Sequence, residues 1–349
     1  MRLSNMLPVP MAWSAPDGPE AAVVLSSRVR LARNLRRHRF PARGGEESAA
    51  AVLSEVLTAA AQTKALGGAA TIRLEDVDAV DRLFLVERHL ISNHLAAQPR
   101  HRTVLVGERE RLSLMVNEED HLRLQGLGSG LCLADLLGRL AALDDELASR
   151  LEVAFRREWG YLCACPTNTG TGLRASALVH LPGLSLTGQL NRVLEGLSGR
   201  GTTIRGLYGE GTKVMGDFYQ LSNATTLGRT EGEISESIAA TVLGLVRGEL
   251  QARESLGAGG HKPRLEDLVY RSLGALRGAR IISYEETMQH LSYVRMALGL
   301  GWKLPADLHA VNELVILTQP GHVQMLAGRE LDAADRDFLR AMLLRRKFK

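Results

Sequence analysis

The sequence predicts an α+β protein, an antiparallel β-sheet flanked by helices, followed by an all-helical C-terminal region. Three observations predict it. Up to residue 256, segments of two-residue alternation and segments of helical spacing are mixed, without the strict alternation that builds a parallel sheet. TVLV (103–106) and RLSLMV (111–116), separated by Gly107 to Glu110, alternate as a β-hairpin. Beyond GAGGHKP (257–263), a glycine-rich linker, apolar residues recur at helical spacing almost to the end. The 349 residues, 45% of them apolar, suffice for a large domain, read as 21–256, and a smaller one, read as 264–349.

Residues 46–66 are rich in Ala and Leu at helical spacing and stop at Gly67-Gly68. ATIRLE (70–75) is a short strand and 78–95 a second helix. The hairpin then runs straight into NEEDHLR (117–123), which places its carboxylates at a strand end. Residues 131–157 form a long amphipathic helix. YLCAC (161–165) is a strand entering the loop PTNTGTG (166–172), whose glycines permit positive φ and close backbone approach. LRASALVHLP (173–182) resumes the strand pattern and 185–197 is helical. TTIRGLY (202–208) and FYQLSNATTLG (218–228) are strands around a GEGTK turn, and 231–256 is a last long helix. The C-terminal region divides into helices at 264–276, 283–298, 305–317 and 332–345.

Composition narrows the function. The formal charge is +4 and the cations are mostly Arg, as a GC-rich genome favours. No basic stretch interleaved with aromatics and no recognition motif is present, so no specific nucleic-acid partner is expected. The first 20 residues lack the apolar core of a signal peptide, and no run reaches 18 apolar residues, so neither secretion nor a membrane span is expected. Cys132, Cys163 and Cys165 form neither a CxxC nor a Cys/His metal spacing, and their odd number argues against a disulfide framework. No protein metal site is expected, and a reducing cytoplasm fits.

Four segments put arginines beside turn residues or carboxylates: SSRVR (26–30), NEEDHLR, CPTNTGTGLRAS (165–176) and IRGLYGEG (204–211). A guanidinium is planar, always charged and forked, and so matches two phosphate oxygens at once; a nucleoside triphosphate needs several such forks. The common phosphate-binding loops are absent, which leaves that work to arginines. Arg28 and Arg30, two apart on a strand, point to one face. Arg174 follows two glycines whose main chain can also turn toward an anion. Glu118, Glu119 and Asp120 could orient a cation or meet Mg²⁺ through water, and Glu210 shares a glycine turn with Arg205. Taken singly, each segment also reads as a solvated strand edge or turn, and Cys165, before Pro166, as a small buried hydrophobe.

Together, SSRVRLAR, VNEEDHLRLQ, CPTNTGTGLRA, Arg205 and LSNATTLG stand in the order found in the phosphagen (guanidino) kinases, and the chain resembles that family over residues 23–256. The resemblance implies ATP with Mg²⁺ carried on its phosphates, and an ATP site formed by Ser26, Ser27, Arg28, Val29, Arg30, His89, Arg123, Arg174, Ala175, Ser176, Ala177, Leu178, Arg205, Gly206, Leu207, Tyr208, Gly209 and Glu210. It makes Glu119 the catalytic carboxylate and Glu210 its partner from a mobile loop, with Glu118 and Cys165 as further active-site candidates.

Two departures point to one branch. Only 25 residues precede SSRVR, where phosphagen kinases carry a helical domain that covers the small substrate, and the C-terminal helices end in RDFLRAM. Both features resemble the bacterial protein-arginine kinases, whose RDxxRA motif forms a phosphoarginine pocket; Arg336, Asp337, Arg340 and Ala341 match it. From spacing alone, Arg336 and Arg340 lie one helical turn apart, able to chelate a phosphoryl group with Asp337 free for a guanidinium, or simply to form a solvated face. The expected substrates are proteins with accessible arginines, marked for regulation or degradation. The resemblance also implies an activator of the McsA type, the repressor CtsR, the unfoldase ClpC and a homodimer. Small-molecule guanidino kinase activity and a non-catalytic phosphoarginine adaptor are the competing readings.

Overall fold

The computed structural model describes residues 3–198, 201–206 and 214–349. β1 (Val24–Arg33), β2 (Ala70–Arg73), β3 (Thr103–Val106), β4 (Leu112–Val116) and β5 (Leu122–Ser129) precede a small ribbon of β6 (Phe155–Arg156) and β7 (Gly160–Tyr161). β8 (Leu173–His180), β9 (Thr202–Arg205) and β10 (Phe218–Asn223) complete an eight-stranded sheet in the spatial order β2-β3-β4-β5-β1-β8-β10-β9. Its neighbouring strands pair antiparallel throughout. The helices are α1 (Pro41–Ala60), α2 (Ala79–Glu87), α3 (Asn93–Ala97), α4 (Leu133–Ala148), α5 (Pro182–Leu186), α6 (Leu190–Ser198) and α7 (Glu231–Gly257), then α8 (Lys262–Gly278), α9 (Tyr284–Gly299), α10 (Leu308–Leu317), α11 (Pro320–Ala327) and α12 (Ala333–Lys347).

Two-residue alternation gives the sheet two unlike faces. Val29, Leu31, Leu124, Ala175 and Leu221 project to one face, where α1, α4 and α7 bury it through Val52, Val56, Leu140 and Val242. Each such side chain contributes roughly 1.5–3 kcal/mol by leaving water. The other face falls into three zones. At the β2–β4 edge Ile72, Val104, Val106 and Met115 pack under Phe84 and Leu85 of α2. At the opposite end Leu25, Leu127, Leu178 and Phe218 share a core with Leu273, Met288, Leu291, Leu314 and Leu344 of the C-terminal helices. Between these apolar zones the strands present arginines and polar residues, the furrow described below.

The C-terminal helices are tied to the rest of the chain by buried polar contacts as well as apolar ones. Glu87, at the end of α2, accepts from the first turn of α11: Gly321 N at 2.6 Å, His322 N at 2.9 Å and His322 Nδ1 at 2.7 Å. A Cβ on Gly321 would lie 2.8 Å from Glu87 Oε2, so a larger residue there would have to displace the carboxylate from this helix turn. Arg295 of α9 donates to the carbonyls of Ala21 and Ala22, and Asn312 of α10 to that of Ser14, which fastens the N-terminal segment between sheet and helices.

Several elements differ from the sequence expectation. The helix expected over 78–95 is two helices, because His89 takes φ +59° and a new helix begins at Ser92, whose hydroxyl caps Leu95 N. The helix expected over 131–157 stops at Ala148; beyond it the main chain bonds to the residues just past β1, with Ala154 N donating to Asn34 O at 2.7 Å. Of the YLCAC strand only Tyr161 pairs, and Ala164 N is taken by Asp120 Oδ1 at 2.6 Å instead of a ladder partner. The helix expected over 185–197 breaks at Gly188, φ +70°, into α5 and α6. β5 and α11 were not expected at all, and the linker expected over 257–263 contracts to the residues between α7 and α8.

Candidate active site

Register builds the furrow. Arg28 lies opposite Leu127 of β5 and Ser176 of β8, Arg30 opposite Gln125 and Arg174, and Ala32 opposite Arg123. Arg28, Arg30, Arg123, Arg174 and Ser176 are thereby brought together, with Gln220 donating to Ser176 Oγ at 3.2 Å from the next strand. Burial, then Arg123 and Arg174, push the Arg28 guanidinium down to about 9, and burial, then Arg28, Arg123 and Arg174, lower Arg30 well below its usual value. Arg28 Nε and Arg30 Nε are buried without hydrogen-bond partners. Buried, mutually repelling guanidinium groups with unused donors are a chemical fit to a polyphosphate, whose charge would relieve the repulsion and occupy the donors.

His89 closes one side. It lines a small cavity with Ser26, Arg28, Ser176 and Leu178, its carbonyl accepts from Gln125 Nε2 at 2.7 Å, and its ring lies 5.2 Å from that of Trp13. Burial, then Arg28 and Arg30, hold it down at about 3, so it acts as a neutral imidazole. The remaining residues of the implied runs do other work. Val29, Ala175 and Ala177 lie in the core on the opposite face, as alternation requires. Ser27 donates to Gly130 O at 2.7 Å and accepts from Cys132 N, a structural bond at the end of β5.

The carboxylates occupy the β4–β5 turn, which Asn117 N closes onto His121 O at 2.9 Å. They have three different environments. Glu118 is buried, paired with Arg123 at 2.8 Å, and accepts from Ser92 Oγ and Glu119 N. Burial alone would raise its pKa, but Arg123, Ser92 and the Glu119 amide bring it to about 2. Asp120 is buried against Asn34 Nδ2 at 2.5 Å and Ala164 N, which joins the turn to the Cys163–Cys165 segment. Glu119 alone is exposed. The turn is thus pinned on both sides of one outward-facing carboxylate, and Asn34 and Ser92 are the supports that sequence reading missed; no motif marks them.

Cys165 is half-buried with Sγ 3.0 Å from Thr167 Oγ1, whereas burial pushes the Cys163 thiol up to about 12. Arg205 ends β9 opposite Gln220, and Gly206 follows it. Leu207, Tyr208, Gly209 and Glu210 lie outside the described residues. In α12, Asp337 is not free, since it pairs with Arg340. Arg340 is buried and spends Nε on Thr318 O at 2.6 Å and Nη1 on Ile282 O at 2.9 Å. Arg336 is half-buried and donates to Leu331 O, and Ala341 lies in the core.

The buried histidines set a pH dependence. Burial lowers His89 to about 3, His121 to about 4 and His180 and His322 below their usual value. A histidine with a depressed folded pKa stays neutral in the fold while the unfolded chain takes up the proton near 6.5, so stability is full above that value and falls as pH drops below it. The urea midpoint is expected to fall between pH 7.5 and 5.5, and His89→Gln to flatten that fall. An unchanged slope in the variant would remove His89 from the account.

A family model described as "ATP:guanido phosphotransferase, C-terminal catalytic domain" matches residues 51–252. A second, described as "Protein-arginine kinase McsB C-terminal domain", matches residues 262–349. The protein-arginine kinase of Shouchella clausii is 43% identical over 97% of this chain and 94% of its own. That of Symbiobacterium thermophilum is 44% identical over 95% of each. Among solved structures, a lombricine kinase superposes with a TM-score of 0.59 at 26% identity, covering 71% of each chain. The duplicated taurocyamine kinase of Schistosoma mansoni gives 0.58 at 27% identity, covering 71% of this chain; the chain spans 37% of that protein.

Proposed function

The chain belongs to the ATP:guanido phosphotransferase family, and we infer that within it this protein is a protein-arginine kinase, transferring the ATP γ-phosphoryl group to arginine side chains of proteins. The observation that carries the reading is its extent: relatives named protein-arginine kinase match across both the catalytic region and the C-terminal helices.

The chemistry follows from the furrow. Arg28, Arg30, Arg123 and Arg174 hold the phosphates and stabilise charge on the phosphoryl group in flight, with Arg205 at the end of β9. His89, neutral, borders the nucleotide. Mg²⁺ carried on the ATP phosphates supplies further charge neutralisation. The nucleophile is a guanidinium nitrogen, and its proton is the obstacle. Its pKa is roughly 12.5–13.8 against about 4 for a carboxylate, so full prior deprotonation would cost about 12–13 kcal/mol. Proton loss therefore accompanies N–P bond formation. Glu119 orients the guanidinium in line and accepts that proton, with Glu210 as its partner, while Glu118 and Asp120 hold the turn. Cys165 borders the same turn through the Asp120–Ala164 bond.

Arg336, Asp337, Arg340 and Ala341 are proposed as a phosphoarginine pocket, which requires the Asp337–Arg340 pair to open. An McsA-type activator, CtsR, ClpC and a second copy of the chain are proposed partners on the family resemblance, and the cytoplasm the proposed compartment. No described helix is long and apolar enough to cross a membrane.

The test is incubation with Mg-ATP and either an arginine-rich unfolded protein or free arginine, followed by mass spectrometry under non-acidic conditions that preserve N–P bonds. Phosphoarginine in the protein is expected. Phosphorylation of free arginine alone would establish a small-molecule kinase instead, and nucleotide binding without transfer to either an adaptor.

A further inference from the structure

A cleft of about 430 Å³ opens beside the carboxylate turn, and none of the furrow arginines and neither Glu118 nor Glu119 lines it. Its volume lies in the range of roughly 300–1,000 Å³ usual for ligand pockets. Asn117 and His121, the two residues that close the base of the turn whose tip is Glu119, form part of its wall. Arg102 forms another part, buried and held by His94 O at 2.8 Å and Gln98 Oε1 at 3.0 Å. Burial lowers the Arg102 guanidinium and Glu118 opposes that shift only in part, which places the cleft within electrostatic reach of the turn.

The lining is cationic. Arg39 and Arg100 line it with exposed side chains, together with His101 and Arg102, against the single carboxylate of Glu46. Glu46 pairs with Arg100 at 2.5 Å, but both side chains are largely exposed. Such a surface pair is worth little, so Arg100 can exchange Glu46 for an incoming carboxylate at small cost. Arg39 has no ion pair among the described residues. Pro41, Ala49 and Pro99 add apolar surface to the lining, and Gly44 and Gly45 add no side chain to it.

We propose that this cleft receives the stretch of substrate polypeptide that flanks the target arginine, and that it selects acidic side chains there. The inference rests on the protein-arginine kinase reading and deepens it. An arginine side chain reaching Glu119 from a main chain laid in the cleft brings its neighbours against Arg39 and Arg100. Free arginine has no neighbours to place, so the same cleft separates polypeptide from amino acid. The contacts are rim charges, which act on encounter and fade as salt screens them.

The experiment compares two peptides of one sequence, the target arginine flanked by Asp and Glu in one and by Ala in the other. Each is offered to the full-length protein and to its Arg39→Glu/Arg100→Glu variant, with kcat and KM measured for peptide and for ATP. The wild type is expected to favour the acidic peptide roughly three- to ten-fold in kcat/KM, through KM, as two exposed pairs allow. The variant is expected to lose that preference with kcat and the KM for ATP unchanged. Equal use of the two peptides by the wild type, or a preference that survives in the variant, overturns the cleft assignment alone. Phosphoarginine in neither peptide overturns the kinase reading, and the cleft assignment with it.

Discussion

Glu119→Gln is expected to lower phosphoryl transfer by about 10²–10⁴-fold, the usual worth of a positioned general base, while ATP affinity stays within about two-fold of the wild type. The separation follows from the geometry of the turn. Glu119 is exposed, whereas its neighbours are spent on structure: Glu118 on Arg123, Ser92 and the Glu119 amide, Asp120 on Asn34 and Ala164. Removing the Glu119 charge therefore breaks no bond that shapes the fold or the arginine furrow. Glu118→Gln is the contrasting variant. It unpairs Arg123 in the furrow, so it is expected to change nucleotide affinity as well as rate. Single-turnover transfer and equilibrium ATP binding separate the two. Glu119→Gln turning over at the wild-type rate would move the base to another residue.

Strand register and chemistry were readable from residue spacing where period two is strict. Arg28 and Arg30 on one face of β1, and Arg174 two residues past a positive-φ glycine, follow from alternation alone, and the structure sets Arg30 opposite Arg174. The same alternation explains why a contiguous run such as 174–178 cannot all face a ligand: Ala175 and Ala177 belong to the core. Breaks were less readable. His89 turns the chain at φ +59°, a conformation paid for by Gln125 Nε2 on its carbonyl and by packing against Trp13, both distant in sequence. Nothing local announces it.

The carboxylate turn shows the same limit at finer scale. Three adjacent acids look alike in sequence, and only tertiary contacts from β1, α3 and the Cys163–Cys165 segment make one exposed and two buried. The RDFLRA segment was readable as a helix face carrying two arginines one turn apart. That Arg340 would be buried on the carbonyls of Thr318 and Ile282 depends on α11, which pattern alone did not reveal.

Arg30→Met is expected to weaken Mg-ATP binding by about 10–100-fold and, in the same protein without nucleotide, to raise stability by on the order of 1–3 kcal/mol. The first effect is the loss of a charge-assisted fork from the proposed phosphate site. The second runs opposite to most buried substitutions, and its sign follows from linkage. Burial, then Arg28, Arg123 and Arg174, lower the Arg30 guanidinium in the fold, against a single opposing charge on Glu118. A cation whose folded pKa is depressed costs folding free energy at every pH where it is charged in both states, relieved only as pH rises through the lowered value. That cost is present wherever the Arg30 guanidinium is charged in the fold, and Met, of similar length, fills the space without it. Urea unfolding with and without Mg-ATP reads both effects: the wild type should gain stability strongly on nucleotide addition, and the variant should start higher and gain little. A variant less stable than the wild type without nucleotide would mean that the crowded arginines are already satisfied in the free protein, and the furrow would lose its physical case as a polyphosphate site.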